Sequence, residues 1–434
     1  MVLRLDSAAP GFEDDFASLV GSKREAAVDV GDTVAAIIDD VRARGDAALM
    51  DFSRRFDRLE LTPETLRITP QEIAEAVASC DKSLIAALRL AADRIKVYHS
   101  RQRPQDDTFV DTQGVSLGSR WQPVASAGLY VPGGTAAYPS SVLMNAVPAK
   151  VAGVARLAMV VPTPDGALNP LVLAAADIAG IDEIYRIGGA QAIAALAYGT
   201  STIVAVDKIV GPGNAYVAEA KRRVFGTVGI DMIARPSEIL VVADRENDPA
   251  WIAIDLLSQA EHDPVAQSVL ITDDTDFAAA VISAVEDHLK TLSRAEIARQ
   301  SWQNHGAVII VADLDQAPPL VDRLAPEHLE LAVAEPEALA EKIRYAGAIF
   351  LGRYTPEAIG DYIAGPNHVL PTSRSARFSS GLGVHDFMTR TSLVKCDAAS
   401  LGEIGPAAVA LAQAEGLDAH ALSVAIRLNL PRED

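Results

Sequence analysis

The side chains best spaced for chemistry lie in the second half of the chain. Gln259 and His262 stand three residues apart at the end of an apolar helical run, in Ser258-Gln259-Ala260-Glu261-His262-Asp263. That spacing projects both from one helix face, as paired metal ligands would need. A histidine interacting with the negative C-terminal end of a helix gives the same pattern and is the commoner case. Ala325-Pro326-Glu327-His328-Leu329 sets a carboxylate beside an imidazole just after a proline. Imidazole suits proton abstraction near neutral pH, and the carboxylate offers a second base. A helix start, with Glu327 near its positive end, explains the pair equally well.

Further groups sit in loops fixed by glycine and proline. Gly360-Asp361-Tyr362 and Gly365-Pro366-Asn367-His368-Val369-Leu370-Pro371 combine acid, amide and imidazole, although tight turns alone favour such residues. Glu415-Gly416-Leu417-Asp418-Ala419-His420 places Asp418 as an N-cap and His420 in the first helical turn, where the dipole favours neutral imidazole. His99 and His288 lie in charged helical stretches and read as surface residues.

The elements that must position these groups form two α/β series. Residues 1–125 read as mostly helical, with Val34, Ile37, Ile38 and Val41 on one face, Asp32 as an N-cap and a capping box at Thr69-Pro70-Gln71-Glu72. The Arg94 to Arg103 segment reads as a solvated helix end. Strands are expected at 128–131, 157–161, 183–187 and 208–210, then at 239–243, 268–272, 307–311 and 348–351, with helices between them. Such alternation argues for parallel sheets covered by helices. Several of the first strands run into glycine turns, Pro132-Gly133-Gly134, Gly188-Gly189-Ala190 and Gly211-Pro212-Gly213-Asn214. Ligands gather at such carboxyl ends, yet turn geometry alone also explains these glycines, and the dinucleotide fingerprint G-x-G-x-x-G is absent.

Composition bounds the class. The 434 residues carry 38 Lys+Arg against 58 Asp+Glu, a net charge of −20 that argues against a nucleic-acid or anionic-membrane surface. Two cysteines, Cys80 and Cys396, are too few for a disulfide framework or a four-cysteine zinc site. With neither a secretory h-region nor an uninterrupted membrane-length apolar run, a soluble, cytoplasmic protein is expected.

Taken in order, these motifs resemble the histidinol dehydrogenase family. The match rests on Gly128-Leu129-Tyr130-Val131-Pro132-Gly133-Gly134, Gly188-Gly189-Ala190-Gln191-Ala192, Val210-Gly211-Pro212-Gly213-Asn214 and Pro236-Ser237-Glu238. It continues through the Gln259, Glu327, His368 and His420 segments quoted above. The resemblance implies a zinc- and NAD-dependent oxidation of L-histidinol to L-histidine through the aldehyde, the last step of histidine biosynthesis, using two NAD. It implies Gln259, His262, Asp361 and His420 as zinc and substrate ligands, and His328 as the base. Glu327 would activate water, Ser237, His328, His368 and Glu415 would contact substrate, and Tyr130, Gln191 and Asn214 would contact NAD. A homodimer is implied, with the C-terminal tail completing the partner's site. Two incomplete Rossmann-like α/β domains with parallel sheets are expected, plus small helical terminal segments. The implied divisions are 1–27, helical; 28–128 with 238–384, bearing zinc and base residues; 129–237, for NAD; and 385–434, the helical tail.

Arg235 departs from the glycine usual before Pro-Ser-Glu, and puts a long cation beside Ser237. A dehydrogenase for another small polar alcohol, or a non-catalytic zinc- or nucleotide-binding relative, are the competing readings. Retention of His368 and Glu415 counts against the first, and intact Glu327 and His328 count against the second.

Overall fold

Short runs rich in Val, Ile, Leu and Ala, apolar on both faces, can be satisfied only between two helical layers. The computed structural model, which describes residues 2–22, 30–133, 138–181, 183–233 and 236–430, obeys that constraint twice. Its strands in chain order are β1 (Leu3–Asp6), β2 (Asp107–Val110), β3 (Ser116–Pro123), β4 (Ser126–Tyr130), β5 (Arg156–Val160), β6 (Glu183–Tyr185) and β7 (Lys208–Val210). There follow β8 (Gly229–Ile230), β9 (Glu238–Ala243), β10 (Gln267–Thr272), β11 (Ala307–Ile310), β12 (His328–Ala332), β13 (Ala348–Leu351) and β14 (Met388–Lys395).

One parallel sheet has the order β6-β5-β4-β7-β8 and the other β1-β11-β10-β9-β12-β13. Leaving β1 aside, the two orders are the same. Each series starts in the middle, steps outward twice, then returns to the other side of its first strand. The switch points therefore fall between β4 and β7 and between β9 and β12. Every residue of β4, β9, β10 and β12 is buried. The expected α/β class with two parallel sheets is what the structure shows.

Several local expectations change. The 1–125 region is not helical throughout: β1 pairs in parallel with β11, Leu3 opposite Ala307, and β2 and β3 join β14 in an antiparallel ribbon. The tail segment 385–434 accordingly opens with strand β14 before its helices Ala398–Ala414 and Asp418–Ala425. Thr69 and Glu72 form the expected capping box, but Asp32 lies in the first turn of helix Gly31–Arg44 with Val30 as N-cap. The cap of the last helix is Leu417, not Asp418.

Helices of the 28–128 stretch contribute to the cores around the five-stranded sheet. Val34, Ile37 and Ile38 pack with Tyr130, Val160 and Ile193, and Ala91 and Ile95 with Leu129 and Leu143, all against the five-stranded sheet. His99 is fully buried, donating from Nδ1 to the Ile95 carbonyl (2.8 Å), and His288 is half-buried with Nε2 bonded to the Ala250 carbonyl (3.0 Å). Neither is the surface residue its charged surroundings indicated.

Candidate active site

The Glu327–His328 pair does not start a helix. His328 is the first residue of β12, and the register of β12 on β9 sets it opposite Ile239. That pairing places both side chains around one residue of β9. The Glu238 N–H donates to Glu327 Oε2 (3.0 Å), and His328 Nδ1–H donates to the Glu238 carbonyl (3.0 Å). A ring that donates from Nδ1 keeps its lone pair on Nε2. Nε2 is buried and has no hydrogen-bond partner among the described residues. Burial pushes the His328 imidazole down to about 4, so it is a neutral acceptor at pH 7.

Two carboxylates face that nitrogen: Glu357 Oε1 at 3.6 Å and Asp361 Oδ1 at 4.0 Å. Both come from the short helix Glu357–Tyr362, which must approach the end of the sheet closely. Gly360 permits this, because a Cβ there would fall 2.5 Å from the Phe350 ring of β13. Arg94 holds the far end of the same helix, donating from Nε to the Ile363 carbonyl (2.6 Å) and from Nη2 to that of Ala364 (3.2 Å). It is therefore more than a solvated helix end.

Behind Glu357 lie two further carboxyls that the sequence reading missed. Glu330 of β12 accepts the Glu357 N–H (2.5 Å) and hydrogen-bonds to Asp255 of helix Pro249–Ala260. Burial, reinforced by neighbouring negative charge, raises the carboxyls of Glu330 and Asp361 well above the usual range and that of Asp255 to about 6. No Lys or Arg forms an ion pair with Asp255, Glu330, Glu357 or Asp361 among the described residues. Four crowded acids without a cation form a site that an entering cation stabilises.

The expected ligands Gln259 and His262 stand at the end of helix Pro249–Ala260, beside these acids. Ser258 of that helix donates to Glu357 Oε2 (3.2 Å). Gln259 donates from Nε2 to His262 Nδ1 (3.2 Å), leaving its buried Oε1 with no partner among the described residues. The orphaned Gln259 oxygen, the exposed His262 imidazole and the Asp361 carboxyl are donor types that suit zinc. Among the described residues, His328, Glu357 and Asp361 also form a cluster that could hold a metal, with candidate ligand atoms within 4.8 Å of one another. His420 and Glu415 are exposed on the tail, whose two helices pack chiefly on each other.

The 365–371 loop joins this site to the five-stranded sheet. Pro148 interrupts helix Pro139–Ala152 and cannot donate to the Met144 carbonyl one turn earlier. Asn367 supplies the missing donor from Nδ2 (2.5 Å), while its Oδ1 accepts the Val369 N–H (2.9 Å). The docked loop fixes His368, which donates from Nδ1 to the Asp361 carbonyl (3.0 Å) and accepts from Ser141 Oγ (3.3 Å). Burial holds His368 near 4, so it too is neutral.

The other cluster of expected contacts lies at the carboxyl ends of β4–β7. Tyr130 ends β4 with its phenol buried and pushed up to about 12; its oxygen accepts the Gly189 N–H (3.1 Å) at the helix bearing buried Gln191. Asn214 caps helix Ala215–Val224 by accepting the N–H groups of Tyr216 (3.1 Å) and Val217 (3.2 Å). Tyr130 and Asn214 thus flank the β4/β7 switch point, where open parallel sheets take ligands. The base site breaks that rule: Glu238 and His328 lie at the amino ends of β9 and β12. Ser237 is half-buried just before β9, and Gly134 and Arg235 fall outside the described residues.

A family model described as histidinol dehydrogenase matches residues 21–428. The chain is 68% identical over 430 residues to histidinol dehydrogenase of Rhodospirillum rubrum, covering 99% of each chain. It is 65% identical to that of Ruegeria pomeroyi, covering 98% of each. The crystal structure of histidinol dehydrogenase from Elizabethkingia anophelis superposes with a TM-score of 0.94 at 35% identity, covering 99% of this chain and 98% of that one.

Proposed function

The chain belongs to the histidinol dehydrogenase family, and from that premise we propose that it oxidises L-histidinol to L-histidine with two NAD, using the site around His328. The observation that carries the reading is His328 itself: a buried imidazole locked by Glu238, with its free Nε2 aimed at a carboxyl cluster. In the first half-reaction Nε2 takes the hydroxyl proton while hydride passes from the carbinol carbon to the nicotinamide, leaving an aldehyde. Water then adds to the aldehyde carbon and gives a proton to Glu327, while the carbonyl oxygen takes the proton held on His328, which returns to its neutral form as the hydrate is completed. In the second half-reaction the hydrate's hydroxyl proton goes to His328 and its hydride to a second NAD, leaving the acid.

Gln259, His262 and Asp361 would hold a zinc ion together with His420 of a second copy of the chain, whose Glu415 would contact the substrate. Bound zinc supplies a Lewis-acidic anchor that orients the substrate. The unpaired carboxyls suit the substrate's cationic groups. Tyr130, Gln191 and Asn214 would receive NAD at the β4/β7 crevice. The exposed apolar tail, with Leu411, Leu417 and Ile426 open to solvent, supports a homodimer in which that surface is covered. Zinc-loaded protein with L-histidinol is expected to yield about two NADH per substrate consumed. A yield of one, or none, refutes the four-electron reading.

One observation favours a variant of the water step. Glu327 is tied to Glu238 and lies 3.8 Å from His328 Nδ1, whereas Glu357 stands on the reactive Nε2 side. On this second reading Glu357 receives the proton of the attacking water. Glu327→Gln and Glu357→Gln, assayed separately on histidinol and on histidinaldehyde, distinguish the two. The variant that loses aldehyde oxidation selectively identifies the group that activates water.

A further inference from the structure

The five-stranded sheet contains a buried ion pair that the chemistry above does not use. The side chains of Lys221, of helix Ala215–Val224, and Asp231, just after β8, are 2% and 1% exposed, and the ammonium donates to Asp231 Oδ1. Removing two charges from water is costly, and a well-packed apolar pair commonly stabilises a core as much. The arrangement here is notable for what the pair grips. Lys221 Nζ also donates to the Gly211 carbonyl (2.9 Å), while Asp231 Oδ2 accepts the Gly211 N–H (2.8 Å). Both polar groups of one residue are held by the two members of one ion pair.

Gly211 is the first residue of the turn after β7. Its φ of +114° is open to glycine, and a Cβ there would fall 2.1 Å from the Tyr130 carbonyl oxygen. The turn therefore sits directly on the end of β4. Asp231 is anchored in turn, its N–H donating to the Ile209 carbonyl of β7 (3.2 Å). Lys221 reaches back from its helix toward the N-terminal end, as helical side chains do. Helix, β7, β8 and the end of β4 thus converge on one peptide, three residues before Asn214.

We infer that the Lys221–Asp231 pair is a positioning device for the dinucleotide, fixing the Gly211–Asn214 turn at the β4/β7 crevice before the cofactor arrives. This rests on the reading of Asn214 as a dinucleotide contact. Neither charged residue touches the cofactor; both act through the turn. A turn ordered in advance spares the ligand the cost of ordering it.

The double variant Lys221→Met/Asp231→Asn removes both charges and leaves neither orphaned. Its KM for NAD is expected to rise about tenfold while KM for histidinol stays within about twofold. A folded variant with an unchanged KM for NAD, or with both KM values rising in parallel, overturns the inference. Where wild type turns over no histidinol, the proposed function fails, and NADH fluorescence titration still decides the positioning role. Binding about tenfold weaker in the double variant supports it; equal affinity, or no NADH binding by wild type, overturns it. Should the double variant not fold, hydrogen exchange on the wild-type protein decides: the Gly211 amide is expected to be protected before NADH is added. Protection that develops only with NADH overturns the inference.

Discussion

Asn367 ties the base site to the five-stranded sheet by repairing a defect that Pro148 makes in a neighbouring helix, and the size of that repair can be worked out. Asn367→Ala orphans the buried Met144 carbonyl, which costs about 1–3 kcal/mol, and removes the bond to Val369 N–H, about another 1 kcal/mol. The expected loss is about 2–4 kcal/mol. Pro148→Ala restores an N–H at position 148 that can satisfy the same carbonyl through the ordinary helical bond. In that background Asn367→Ala should cost only about 1–2 kcal/mol, a coupling of about 1–2 kcal/mol. Urea denaturation of the four proteins of the cycle measures it, and kcat/KM for histidinol reports whether His368 stays in place. If Asn367→Ala costs the same with and without Pro148, to within about 0.3 kcal/mol, the repair argument is wrong.

His328 supports a pair of linked predictions. On the proposed role of His328 as base, His328→Gln should lower kcat by about 10²–10⁴ while the fold is kept, checked by steady-state rates alongside circular dichroism. The same variant tests the pKa. In metal-free protein the folded imidazole sits near 4 against 6.5 unfolded, so protons bind the unfolded chain first as pH falls. Wild type should therefore lose stability relative to His328→Gln between pH 6.5 and 4, by about 2 kcal/mol at pH 5 and nothing above pH 7.5. Denaturant midpoints at the two pH values check this; a difference that does not change with pH contradicts the burial argument.

Much of the architecture was legible in the sequence because buried parallel strands advertise themselves as apolar runs. Lys208–Val210 and Ala348–Leu351 fall where expected, as does helix Pro249–Ala260. Strand β12 escaped because His328 and Glu330 interrupt its apolar pattern, and those two residues belong to the site rather than to the surface. The antiparallel ribbon escaped for a different reason: its strands are exposed or half-buried, and β3 and β14 lie far apart in sequence with no hairpin turn joining them. In the site, His328 and Glu327 were visible as a motif, but the Glu238 backbone that locks them depends on strand register. Glu357, Glu330 and Asp255 come from three separate elements and read singly as solvated acids. Only packing shows them to be neighbours. The shared strand order of the two sheets, hinted at by two similar βα series, likewise became plain only from pairing.

The pairing of β1 with β11 also sets a timetable. Leu3 lies opposite Ala307, so during synthesis the first strand must wait for a partner that is translated some 300 residues later. At 5–20 residues per second that is roughly 15–60 s. The five-stranded sheet, complete by Ile230, has all its strands made in that interval, while β10 finds β9 already made and must await β11. The ribosome thus delivers the five-stranded sheet first and the six-stranded sheet last. A slowed codon run between β1 and residue 307 would prolong the period in which Leu3 and Leu5 have no sheet edge to join.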